Sequence, residues 1–138
     1  MSTSEFEDEY EDWLRGDERW SRLRRAAVLA VPSTWPEPFG LVGLEAAALG
    51  VPAVAFDVGG IREWLRPGVN GYLVPGDPPR VSAFAEALVR VFSNAAELKA
   101  MGRRAVSVAR DLSLDRHLDC LESILTRHVQ PNAHSAGR

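Results

Sequence analysis

The sequence predicts an α/β fold, with a parallel three-stranded sheet, flanking helices and a helical C-terminus. Three observations predict it. From residue 17 onward, short apolar runs alternate with helical stretches, as in chained βαβ units. The runs AAVLAVPS at 26–33 and VPAVAFD at 51–57 are continuously apolar rather than alternating, as expected of strands covered on both faces. Everything after Pro79 reads as helix. The 138 residues suit one ordinary domain, and 46% hydrophobic residues against 25% charged, with a net charge of -3, suit a globular chain.

Residues 1–16 read as an acidic extension: eight of the nineteen acidic side chains fall within the first nineteen residues. Phe6, Tyr10 and Trp13 recur there at helical spacing, so the extension is either a solvated acidic tail or a docking helix for a partner. The domain proper is expected over 17–129. After the first strand, at 26–33, Pro32, Pro36 and Pro38 hold a loop open. A helix rich in alanine and leucine follows at 40–50, stopped by Gly50 and Pro52. The second strand, at 51–57, leads through a Gly59-Gly60 turn into a short helix at 61–68. Residues 69–77 form a third extended segment, ended by turn residues. Helices are expected at 81–92, 97–110 and 112–129, and the last carries a stripe of Leu114, Leu118, Leu121, Leu125 and Val129 that calls for a surface to cover. Cys120 sits beside that stripe, as a small residue at a packed margin. Residues 130–138 read as a disordered tail.

Several function classes are not expected. No apolar run approaches the roughly 18–20 residues of a membrane span, and the acidic start lacks the order of a signal peptide, so the expected location is the cytoplasm. One cysteine and three histidines near the C-terminus give no metal-ligand spacing. Fifteen of the sixteen cationic residues are arginine, yet no basic groove with interleaved aromatics accompanies them, and nucleic-acid binding is not expected.

Chemistry concentrates in EPFGLVGLE at 37–45, between the first strand and its helix. Ligands of open α/β sheets bind at the carboxyl ends of strands, which is where this loop falls. The helix start offers unpaired amides and partial positive charge, suited to a diphosphate, and Gly40 removes a side chain that would block close approach. Glu45 is the only polar side chain between Phe39 and Gly50. Either a partner satisfies it, as a ribose diol would, or it lies on an exposed edge of the helix. Glu37 reads either as a ligand-binding carboxylate or as a first-turn residue favouring the helix dipole. Trp35 and Trp64 could line a cleft or pack. Turn geometry alone accounts for glycine at Gly59-Gly60 and after Asn70.

Taken together, Glu37 and Glu45, in the frame EPFGLVGLEAAALGVPAVAFDVGG, resemble the E-x7-E signature of the retaining glycosyltransferases of family 4, which have the GT-B fold. The likeness continues through GGIREWLRPGVNGYLVPGDPPRVSAFAEAL and MGRRA, covering about residues 19–128. It implies a partial Rossmann-like domain, the C-terminal half of GT-B, binding a nucleotide-diphosphate sugar from which a hexosyl group is transferred with retention. By resemblance, Glu45 holds the ribose and Glu37 contacts the transferred sugar near the reacting carbon as the catalytic residue. Amides at Phe39, Gly40 and Leu41 bind the diphosphate or sugar. No metal or other cofactor is implied, since GT-B enzymes generally use protein groups for this charge. Nothing in these residues corresponds to the family's N-terminal domain or to the arginine and lysine that clamp its diphosphate. The resemblance therefore implies the donor-binding part of a larger unit, from a truncated, split or misannotated gene, with an N-terminal half on another chain or a homo-oligomer as the expected partner. The alternative is a non-catalytic remnant or a self-associating nucleotide-binding module.

Overall fold

Two parallel pairings organise the chain. A computed structural model describes residues 16–129, so the acidic extension expected at 1–16, all but Gly16, and the tail at 130–138 lie outside the described residues. In order, the elements are α1 (Asp17–Arg25), β1 (Leu29–Val31), α2 (Leu41–Ala48), β2 (Ala53–Asp57), a 3-10 turn (Gly59–Glu63), β3 (Gly71–Pro75), α3 (Val81–Phe92), α4 (Ala95–Asp111) and α5 (Leu114–Val129). The sheet order is β1-β2-β3, with Leu29 opposite Ala53 and Ala53 opposite Gly71.

Successive side chains of a strand point to opposite faces, and β2 uses both. Val54 and Phe56 join Val74, Phe84, Val91 and Met101 in a core beneath α3 and α4, where the Phe56 and Phe84 rings meet at 4.9 Å. Ala53 and Ala55 pack on the other face against Ile61, Trp64 and Leu65. Small residues on β2 leave room there for the indole. A third cluster, Ala47 with Ala105 and Ala109, joins α2 to α4. The same seam brings Gly102 so close to Gly50 that an added Cβ would stand 2.4 Å from the Gly50 carbonyl oxygen.

Helix α4 starts at an N-cap, Asn94, whose side chain accepts from the amides of Ala96 and Glu97 at 3.0 and 3.1 Å. Asn94→Ala is expected to lower stability by about 1 kcal/mol. Urea unfolding of the two proteins measures this, and Asn94→Asp is expected to restore most of the loss.

The three parallel strands and the helical C-terminus agree with the sequence reading, but several details differ. Residues 17–25, where the sequence suggests no particular element, form α1, a polar helix with no buried residue. The first strand is shorter than 26–33, and Ala30 is exposed. The exposure of Ala30 leaves one face of the strand uncovered, so continuous apolarity does not mean cover on both faces. The short helix expected at 61–68 is instead a 3-10 turn that begins at Gly59 and ends at Glu63. The stripe on α5 is uncovered, with Leu114, Leu118, Leu121 and Leu125 all exposed; the side chain of Val129 lies outside the described set. Cys120 is exposed rather than set at a packed margin. No helix among the described residues is long and apolar enough to cross a membrane.

Candidate functional site

The loop between β1 and α2 opens at the carboxyl end of the sheet, and its shape comes from contacts with the segment that follows β2. Gly60 donates its backbone N–H to the Glu37 carbonyl at 2.7 Å. Trp64 donates its indole N–H to the Phe39 carbonyl at 2.6 Å. These two bonds pin the loop backbone at alternate residues, one on each side of Pro38. Both clamps depend on close approach. A Cβ on Gly60 would lie 2.1 Å from the Pro38 carbonyl oxygen, and one on Gly59, at φ +54°, would lie 2.3 Å from that of Glu37. The two glycines thus do more than turn the chain.

Gly40 is the N-cap of α2 and takes a left-handed conformation, φ 79° and ψ 62°, which glycine adopts at little cost. A Cβ there would also stand 3.0 Å from Cδ1 of Ile61 and press on the Trp64 indole. The chain's own packing therefore requires this glycine. Trp64 is fully buried against Gly43, where an added Cβ would fall 2.1 Å from the ring. Of the two roles open to Trp64, packing is the one observed; Trp35 is 74% exposed.

The carboxylates are held differently. Glu37 lies in the loop, ahead of Gly40 and outside the first turn of α2, so the helix-dipole reading does not hold. Its Oε1 accepts from the Ser33 hydroxyl at 3.2 Å. Glu45 lies one turn into α2, on the face that carries Leu41, because residues four apart in a helix are neighbours. Its side chain is 23% exposed, and its Oε1 accepts from Arg19 of α1 at 3.1 Å. The exposed-edge reading thus gives way to a half-buried, partnered carboxylate. Phe39, Gly40 and Leu41 form the turn into α2, whose first amides have no partner within the helix. The structure brings these three and Glu37 into one clamped loop, with Glu45 on the helix that the loop starts.

Ser33 and Arg19 contact the two glutamates and belong to no motif in the sequence. Ser33 follows β1 with only Pro32 between, which places it at a strand's carboxyl end; nothing in the local sequence of α1 marks Arg19. Asp57, at the carboxyl end of β2, pairs with Arg62 of the 3-10 turn. Beside Phe39, an open depression of about 650 Å³ runs to the α4–α5 junction, with Leu112, Arg116, His117 and Cys120 on its walls. Arg116 there is paired with Asp111 at 2.6 Å. Among the described residues, no three His, Cys, Asp or Glu side chains gather as a metal site.

Comparison with known proteins gives consistent matches. The family model described as "Glycosyl transferases group 1" matches residues 13–108. The D-inositol 3-phosphate glycosyltransferase of Streptomyces griseus is 40% identical over 122 residues, covering 88% of this chain and 25% of the relative. Among solved structures, the sucrose-phosphate synthase of Thermosynechococcus elongatus superposes with a TM-score of 0.70 at 30% identity, over 85% of this chain and 29% of that one. Anabaena HepE in complex with UDP and glucose superposes with a TM-score of 0.65 at 28% identity, over 79% of this chain and 30% of that one. The chain spans about a fifth to a quarter of the length of the curated relatives it matches.

Proposed function

This chain belongs to the group 1 glycosyl transferases, and on that premise we propose that it supplies the donor-binding side of a retaining, family 4-like hexosyltransfer from a nucleotide-diphosphate sugar. The observation that carries this reading is the clamped loop at 37–41, fixed at the carboxyl end of the sheet and running straight into α2. A loop so restrained offers amide donors in a set geometry before any ligand arrives.

In this reading the amides of Phe39, Gly40 and Leu41 face the diphosphate or sugar, and Glu45 accepts from the ribose diol. Glu37 lies towards the transferred sugar. Charge grows on the leaving diphosphate as the glycosidic bond breaks, so fixed donors at the start of α2 stabilise the transition state more than the ground state. The reading assigns that charge to protein groups and invokes no cofactor. The E-x7-E spacing of Glu37 and Glu45 supports it, as does the binding of UDP by the Anabaena neighbour. An acceptor-side half would complete the transfer.

Calorimetry of the 138-residue chain with UDP tests the donor role. Weak binding is expected, and Glu45→Gln should weaken it about tenfold, the scale of one hydrogen bond to a charged group. Binding unchanged by both Glu45→Gln and Glu37→Gln would refute the assignment. With UDP-glucose and simple acceptors, these 138 residues alone are expected to give no turnover.

A further inference from the structure

Helix α1 buries none of its residues, yet it sends one side chain to the carboxylate assigned to the ribose. We infer that Arg19 is a positioning residue for Glu45, setting that carboxylate to receive a vicinal diol and so selecting nucleoside diphosphates that carry both ribose hydroxyls. The inference rests on the donor-site reading above and deepens it.

The geometry of the pair carries the argument. Arg19 donates to Glu45 through a single contact, from Nη2 to Oε1 at 3.1 Å. An ionised carboxylate has about four acceptor sites, so among the described residues the single bond from Arg19 leaves Oε2, and part of Oε1, open to further donors. That suffices for two hydroxyl donors. A two-pronged arginine fork would have engaged both oxygens and competed with the diol. Arg19 is itself restrained on a second side, its guanidinium carbon lying 5.2 Å from the centroid of the Trp20 ring.

Stability does not account for the contact. Arg19 is 49% exposed, and solvated ion pairs contribute little to folding. Its effect falls on orientation: α2 surrounds Glu45 with Leu44, Ala46, Ala47 and Ala48, whose side chains cannot hold a carboxylate by hydrogen bonding. With Arg19 in place, Glu45 loses less rotamer freedom when a ligand binds. A diol, which needs both oxygens at set positions, gains more from this than a single hydroxyl does.

The test compares UDP with 2′-deoxy-UDP by calorimetry on the full chain. The wild-type chain is expected to prefer UDP about tenfold, as one charge-assisted hydrogen bond would give. Arg19→Ala should reduce that preference to roughly a third of the wild-type ratio, with UDP affinity falling and the melting temperature unchanged. Arg19→Lys, which keeps the charge, should recover part of the preference. In a Glu45→Gln background, Arg19→Ala should change nothing further.

An unchanged preference in Arg19→Ala overturns the inference, as does tighter UDP binding, which would make Arg19 a competitor of the ligand. So does a further loss in the Glu45→Gln background, because Arg19 would then act independently of Glu45. If Glu45→Gln itself leaves the preference intact, or the wild-type chain does not bind UDP, the donor-site reading fails and the inference falls with it. Loss of preference in Glu45→Gln but not in Arg19→Ala refutes the inference alone.

Discussion

Trp64→Ala is expected to destabilise the domain by about 3–5 kcal/mol, the usual range for deleting a fully buried aromatic side chain, and to abolish UDP binding. The indole is 0% exposed and fills the space between α2 and the 3-10 turn, with Ala53 and Ala55 of β2 in the same cluster. Several of its neighbours are glycine and alanine, which cannot collapse far into the void. Such a site lies toward the costly end of the range. The indole N–H also holds the Phe39 carbonyl at 2.6 Å, so the loop loses one of its two pins. Trp64→Phe separates the two contributions. It keeps much of the ring and removes the donor, and should cost about 1–2 kcal/mol while weakening UDP binding out of proportion to its effect on unfolding. Urea unfolding and calorimetry on both variants decide this. Equal loss of binding and stability across the pair would mean that Trp64 is only a core residue.

The second large effect is expected at Gly60→Ala. Its new methyl group would stand 2.1 Å from the Pro38 oxygen and 3.1 Å from the Phe39 Cα. Those atoms belong to backbone, not to a flexible side-chain tip, so the loop itself must move. Overpacking of this kind costs about 1–3 kcal/mol, and the shift also lengthens the bond from the Gly60 amide to the Glu37 carbonyl. A folded variant with native circular dichroism, a lower urea midpoint and no measurable UDP binding is the expected result. UDP binding at wild-type strength would show that the ligand does not use the clamped form of the loop.

Legibility followed the range of the interactions. Helix α3 matches its expected span of 81–92, because Pro79 ahead of it and the apolar periodicity within it are local signals. The left-handed cap at Gly40 was half legible. A glycine between strand and helix suggested room for a ligand, but the pressure from Ile61 and Trp64 comes from residues some twenty positions away. The clamps at Glu37 and Phe39 have no local signature at all: their donors, Gly60 and Trp64, belong to a segment that reads as an ordinary turn followed by a short helix. Helix α1 carries little sequence signal because it is polar and buries nothing. Arg19 became visible only when folding set it against Glu45.

The clamps also bear on the order in which the molecule can assemble. Parallel strands cannot meet through a tight hairpin; each pairing waits for a crossover segment to fold back, and such non-local contacts form slowly. The loop at 37–41 belongs to the first crossover, but its two pins come from residues beyond β2. Its geometry therefore cannot exist in a nascent β1–α2 unit, however helical α2 becomes. In the proposed reading, binding competence waits until the segment at 59–64, beyond β2, has docked on the loop.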